Sequence, residues 1–431
     1  MHPRNPYSVP PDFSALAQAY PQLQRHLLQT TSGVTIDFHD ELAQRTLTKA
    51  LLYRDFNLDL SIPGDRLCAK SVWTQRLMQC TKAYDVISLN YVLWIQDILQ
   101  ATSSPEEGTK YGIDIGTGAS AIYPLLFCRV VPDCMFVATE LDGRSLLSAQ
   151  ENVARNQLSE RVRVLPATVN GPILFPVASH QARFSFTMCN PPFYTSAEDI
   201  LRSAEGKELP PGAVCTGSEV EMITEGGEAA FVCKMVQESL VYRERCQWYT
   251  SMLGKLSSIT EVVELLREHK IDNYGITEFV QGQTRRWAIA WSFDDRRLPE
   301  ATGRMTTPTL RHAMPPRTML REPLPDKPQL CSLRTLIDSI AGASVVEVAS
   351  DPPALHCSLT ANTWTRAARR KQGDEPVIST GRPLLCVKIH VTQDNPSPAL
   401  EFSWLTGHDH AAFESFSSHV GRKMRSAMAS T

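Results

Sequence analysis

The residues with the clearest chemical content stand together at Asn190-Pro191-Pro192-Phe193. They follow an apolar run, Arg183 to Cys189 (RFSFTMC), that reads as a strand. Proline fixes φ and removes a backbone donor, so it suits the end of a strand and not its middle. One reading is a plain strand-to-loop stop. The other is a rigid turn that presents an amide and an aromatic ring. The Asn190 carboxamide oxygen and a backbone carbonyl beside Pro191 are acceptors for the N–H groups of an exocyclic amine. Together they would aim the nitrogen lone pair at an electrophilic methyl group, and Phe193 would stack on the base for ~1–3 kcal/mol. No strong base is required, because the amine proton can leave after attack, so catalysis would rest on positioning.

A second constellation could hold the methyl donor. Tyr111 to Ser120 (YGIDIGTGAS) is a strand running into Gly116-Thr117-Gly118. Glycines there let the backbone approach a ligand, and the following helix N-terminus offers unpaired N–H groups. Glu140 ends the next strand, MFVATEL, and could accept hydrogen bonds from two ribose hydroxyls. NAD and S-adenosylmethionine both carry those hydroxyls, and the loop also satisfies a loose G-x-G-x-x-A. A structural turn plus a surface acid is the plain alternative. Loop and acid alone do not separate a nicotinamide dehydrogenase from a methyltransferase; the Asn190 turn favours the second.

These groups can meet only if one sheet gathers the carboxyl ends of their strands, where ligands of open α/β sheets bind. From about residue 86 to 293, helical and strand patterns alternate, which predicts a mainly parallel sheet with helices on both faces. The strands are KYGIDI, MFVATEL, RVRVLP, RFSFTMC, CQWYTSML, ITEFVQG and RRWAIAWSF, the last two forming a hairpin around Gly282. The fold class expected is α/β, a Rossmann-like class I methyltransferase domain with a seven-stranded sheet, over residues 61–298. Residues 1–60 are predicted to be a helical extension, with Asp12 and Asp37 as N-caps. Residues 299–329, rich in proline and basic residues, read as a linker. Residues 330–431 read as a small α+β module with helices at LRTLIDSIAGA and HAAFESFSSHVGRKMRSAM and strands at VVEVAS and PLLCVKIHVTQ.

Composition narrows the class. The chain has 431 residues, 42% hydrophobic and 21% charged, with a formal net charge of -3. That balance gives no global nucleic-acid signature, so any basic surface is local. Eleven cysteines occur without a C-x-x-C pair. An odd, unpatterned count favours reduced thiols over disulfides or a zinc site. The first residues are too polar for a secretory signal, and no apolar stretch approaches the ~20 residues of a membrane helix. The expectation is an intracellular protein of nucleus or cytoplasm, without membrane contact or metal.

Longer matches then accumulate: PPDF-x-x-L-A at 10–17, YP at 20–21, GIDIGTGAS-x-IYPLL at 112–126, ATELD at 138–142 and NPPF at 190–193. EGGE at 225–228, WYTSMLGK at 248–255 and TEFVQGQTRRWAIAWSF at 277–293 extend them. On these motifs, residues 1 to about 293 resemble the methyltransferase-like 16 family, the U6 small nuclear RNA N6-adenosine methyltransferases, related to bacterial 23S ribosomal RNA N6-adenine methyltransferases. The resemblance implies S-adenosylmethionine as cofactor and adenosine in a structured, U6-like RNA hairpin as substrate, with the protein a monomer or weak dimer. It implies a catalytic tetrad of Asn190, Pro191, Pro192 and Phe193, and cofactor contacts from Asp114, Gly116, Gly118, Ser120, Glu140, Thr168 and Asn190. His2, Arg4 and Asn5 match its N-terminal RNA-binding arm, with Pro6 where a second arginine is usual. A non-catalytic RNA-binding protein of the same fold, or methylation of ribosomal RNA or a protein glutamine, are the rival functions.

The sequence departs from the family before the glycine loop. The stretch from Cys68 to Ser88 is longer than usual, and Ser88 stands where a cofactor-contacting arginine is expected. The long loop from Ser196 to Gly227, following the tetrad, is expected to order on RNA, with Arg202 and Lys207 available to phosphate. Arg285 and Arg286 at the hairpin, and Arg366, Arg369, Arg370 and Lys371 in the C-terminal module, are either solvated charges or phosphate contacts. His408 and His410 lack partners at metal-ligand spacing and read as surface residues.

Overall fold

A computed structural model describes the chain apart from residues 1, 10, 32, 39, 62, 64–86, 105–107, 193–222, 282–283, 306–307, 351, 366–367, 369, 371–382, 393–396 and 430–431. Two compact units form. Met1–Phe293 with Met305–Ala313 make the first, and Asp294–Arg304 with Met314–Thr431 the second.

The first unit begins with helix α1 (Phe13–Ala19), capped by Asp12, whose carboxylate accepts from the amides of Ser14 and Ala15. The 1–60 region is less helical than expected. Pro21 stops α1 and opens a short 3-10 turn, Pro21–His26, because proline cannot continue the ladder. A hairpin of β1 (Leu27–Thr30) and β2 (Gly33–Ile36) then leads to α2 (Glu41–Phe56). Asp40, not Asp37, caps α2, accepting from the Leu42 amide at 2.9 Å.

After α3 (Ile87–Thr102) the alternation begins: β3 (Lys110–Ile115), α4 (Ile122–Val130), β4 (Cys134–Glu140), α5 (Gly143–Arg155), β5 (Val162–Pro166), β6 (Phe184–Cys189). It continues with α6 (Gly227–Tyr242), β7 (Cys246–Leu253), α7 (Leu256–Glu268), β8 (Tyr274–Gln281) and β9 (Thr284–Trp291). The seven strands order as β5-β4-β3-β6-β7-β9-β8. β5 to β7 are mutually parallel, and β9 inserts antiparallel between β7 and β8. The fold class, each strand and the closing hairpin are as expected from the sequence. Apolar residues on both faces of the sheet explain the continuous runs: every residue of β7 is buried.

The second unit is an antiparallel sheet, β10 (Met319–Pro323), β11 (Ala343–Val348), β12 (Ala354–Leu359), β13 (Leu385–Thr392) and β14 (Ala399–Gly407), ordered β10-β14-β13-β12-β11. Helices α8 (Leu330–Asp338) and α9 (His410–Met428) bury their apolar stripes in its core, where Phe402, Phe413 and Phe416 are fully enclosed. The 299–329 stretch is not a linker. Met319–Pro323 is an edge strand paired with β14, a place where prolines are tolerated. Within the first unit, Arg267 and Tyr274 donate to the carbonyls of His312 and Ala313. β12 and β14 also belong to the module, although neither is among the strands expected from the sequence.

Candidate active site

The sheet register builds the site. Ile115, the last residue of β3, stands opposite Thr139 of β4 on one side and Cys189 of β6 on the other. The residues that follow are Gly116, Glu140 and Asn190. Three segments separated in sequence therefore leave the sheet side by side at one carboxyl edge, at the point where strand order reverses between β3 and β6.

The glycine loop uses backbone conformations open to glycine. Gly116 and Gly118 have φ of +69° and +65°, and a Cβ on either would meet nothing within 4 Å. The loop thus faces open space, as a ligand cradle must. Its other side is tied down. The Thr117 amide donates to the Thr139 carbonyl at 2.8 Å, and the Gly118 amide to Glu140 Oε2 at 2.7 Å. Glu140 Oε1 also accepts from the amides of Leu141 and Asp142. This carboxylate is consequently fixed and buried, with its charge stabilised by backbone dipoles. Ser120, in the same loop, is buried as well. Thr168 is exposed just beyond β5, near the same edge, because Glu140 stands opposite Pro166 and its carbonyl accepts from the Ala167 amide.

Asp114 lies beneath the loop and is fully buried. Its Oδ2 accepts from the Thr117 hydroxyl at 2.6 Å, while Oδ1 has no hydrogen-bond partner among the described residues. Burial pushes its carboxyl up to about 7; the Thr117 hydrogen bond opposes that shift and the nearby Glu140 charge adds to it. An orphaned acidic oxygen under an open glycine cradle suits a cationic ligand. S-adenosylmethionine, with its sulfonium and ammonium charges, fits that description.

At the neighbouring strand end, Asn190 is exposed, Pro191 buried and Pro192 half-buried. Phe193, Arg202 and Lys207 lie outside the described residues. The Cys189 thiol next to the turn is pushed well above its ordinary value, first by burial and then by Asp114, so it stays protonated and is no nucleophile. These features set an open glycine loop, a buried acid and an exposed amide at one edge of the sheet.

The chain matches a family described as RNA methyltransferase over residues 1–295. The chain belongs to this family. It is 35% identical over 392 residues to the U6 small nuclear RNA (adenine-(43)-N(6))-methyltransferase of Schizosaccharomyces pombe, covering 90% of this chain and 95% of that protein. It is 37% identical over 306 residues to the RNA N(6)-adenosine-methyltransferase METTL16 of Homo sapiens, covering 69% of this chain and 52% of that protein. The match thus spans about half the length of the human relative. Among solved structures, the human METTL16 catalytic domain in complex with MAT2A 3′UTR hairpin 1 is similar, at TM-score 0.56 and 37% identity, covering 68% of this chain and 95% of that one. The N-terminal domain of human METTL16 in complex with SAH gives TM-score 0.54 and 35% identity, covering 68% and 99%.

Other family positions take less expected places. Asn5 is buried, accepts from the Tyr7 amide and donates to Asn90 Oδ1 at 3.0 Å, so in this structure it anchors the N-terminal arm. His2 and Arg4 pair with Asp97 of α3, and Arg4 also donates to Gln96. Ser88 is buried in the first turn of α3, within hydrogen-bond reach of the Tyr123 hydroxyl. Residues 68–86 lie outside the described residues, as do Arg366, Arg369 and Lys371. Arg285 forms a cross-strand pair with Glu278 at 2.9 Å.

Sequence reasoning also missed structural groups around the site. Asn152 of α5, fully buried, donates to the carbonyls of Ala119 and Ser61 and accepts from the Ser61 amide, stitching the glycine loop to the preceding segment. Glu228, the last residue of EGGE, accepts from the amides of Gly254 and Lys255 and the Ser258 hydroxyl, each at 2.7 Å, and so holds the turn that leads into α7. The motif itself was visible; its role at the turn before α7 required the fold.

Proposed function

We propose that this chain transfers a methyl group from S-adenosylmethionine to N6 of an adenosine in a structured RNA, with U6 small nuclear RNA as the substrate. The observation that carries this reading is the register that sets Gly116, Glu140 and Asn190 at one sheet edge. The named activities of the S. pombe and human relatives support the choice of adenosine and RNA. S-adenosylmethionine supplies the electrophilic methyl when bound. Gly116 to Ser120 would cradle it, Glu140 would accept its ribose hydroxyls, and Asp114 would provide negative charge below. Thr168, exposed at the same edge, would add a further contact to it.

Asn190 does the positioning on the substrate side. Its amide oxygen and the adjacent backbone carbonyl accept the two N–H bonds of the adenine amine, which leaves the nitrogen lone pair free for the methyl carbon. Pro191, being buried, keeps the turn from relaxing, and Phe193 stacks on the base. The amine proton departs to water after attack. His2 and Arg4 lie on the arm that meets RNA, with Asp97 holding them until phosphate arrives. A small nuclear RNA substrate would put the protein in the nucleus.

The test is transfer of labelled methyl to a U6-like hairpin, followed by nucleoside mass spectrometry. N6-methyladenosine is the expected product. Label on ribosomal RNA alone, on protein glutamine, or nowhere despite RNA binding would replace this reading with one of the rivals.

A further inference from the structure

The strand that ends in Asn190 is laddered to β3 as far as Cys189, but on its β7 side the ladder stops short. Among the described residues, the β6–β7 backbone register runs through Phe184↔Cys246 to Phe186↔Trp248 and goes no further. Side chains take over beyond it. The Thr250 amide donates to Thr187 Oγ1 at 2.9 Å, and the Thr250 hydroxyl donates to the Thr187 carbonyl at 2.6 Å. A third hydroxyl enters from α3: Tyr91 Oη lies 2.5 Å from Thr250 Oγ1 and accepts from the Cys189 amide at 3.3 Å.

The proton directions are determined. Thr250 gives its proton to the Thr187 carbonyl, so its oxygen must accept from Tyr91. The phenol therefore donates to β7 and accepts from the residue immediately before Asn190. Tyr91 is fully buried, with Trp94, Tyr123 and Phe279 around its ring, so its hydroxyl has no water to fall back on. Its helix is clamped in turn, since Asn90 accepts from the His2 amide and the Asn5 side chain.

We propose that Tyr91 is a positioning residue for methyl transfer: with Thr250 it fixes the β7 side of the end of β6, which the β3 ladder leaves open, and hence helps place the acceptors of Asn190. This rests on the RNA methyltransferase reading of the site. Geometry at a reacting centre is unforgiving, since a shift of about 1 Å can cost ~100-fold in rate.

The experiment compares wild type, Tyr91→Phe, Thr250→Val and Thr250→Ser. Each is measured for kcat and KM on a U6-like hairpin, for S-adenosylmethionine affinity by calorimetry, and for hydrogen exchange of segment 184–192. Tyr91→Phe and Thr250→Val should lower kcat by about tenfold or more, with cofactor affinity and both KM values within about twofold. They should speed exchange at the end of β6, whereas Thr250→Ser, which keeps the hydroxyl, should stay near wild type in both. Wild-type kcat and exchange in Tyr91→Phe would overturn the proposal, as would a loss matched by cofactor affinity. If the wild-type chain methylates no RNA, the functional reading fails, and the exchange comparison alone decides the tether.

Discussion

The two ends of the site are built from different materials. At the cofactor end, the cradle is backbone: two glycines of positive φ, amides that fix Glu140, and an Asn152 clamp underneath. At the substrate end, a backbone ladder holds only the β3 side of the strand before the turn, and its β7 side is tied by hydroxyl groups, Tyr91, Thr187 and Thr250. A backbone cradle tolerates most side-chain changes around it but not a Cβ at its glycines. A turn suspended from side chains should lose its function when single atoms are removed. The difference suits the chemistry, since the cofactor need only be bound, whereas the amine must also be aimed.

Predictions that break or sharpen this contrast differ in size. The largest belongs to Asn190→Ala, which should reduce methyl transfer by ~100-fold or more while RNA affinity hardly changes. Next is Gly118→Ala, where an L-residue at φ +65° costs ~1–2 kcal/mol. Cofactor affinity should fall by about tenfold in calorimetry, with kcat on saturating cofactor less affected.

Asp114 gives a pH signature confined to the cofactor end. A cationic ligand favours its ionised form, so binding below about pH 7 releases a proton and affinity rises with pH until about 7. Asp114→Asn should bind more weakly and lose that slope in calorimetric titrations. The free protein runs the other way. Because burial raises this carboxyl from 3.8 to about 7, the folded state holds the proton more tightly, and stability falls as pH rises through that window. The asparagine variant should flatten that decline in thermal unfolding. The smallest effect on chemistry belongs to Glu228→Gln. Weakening its hydrogen bonds to the turn before α7 should lower stability by about 1–3 kcal/mol in denaturant unfolding, with kcat for the folded fraction near wild type.

The same contrast decides what could be read from the sequence. The cofactor end was legible because its parts are local: a strand, two glycines and an acid at the end of the next strand. The NPP turn was legible because prolines cannot continue a strand. Its tether was not. Tyr91 reaches Cys189 across 98 residues and Thr250 across 159, and hydroxyl pairs leave no periodic trace. The anchoring of Asn5 was not legible for a related reason, since only the fold brings Asn90 beside it. In the second unit, the proline count of 299–329 hid an edge strand. β14, however, alternates Leu400, Phe402 and Trp404 toward the core and could have been found.

The central claim is that the carboxyl edge places Asn190 to aim an adenine amine at the methyl donor. Single-turnover methyl transfer to a U6-like hairpin, with RNA affinity measured on the same wild-type and Asn190→Ala proteins, tests it most directly. The expected result is N6-methyladenosine from wild type, and transfer abolished in the variant with hairpin affinity unchanged within about twofold. Transfer by Asn190→Ala at the wild-type rate would contradict the claim.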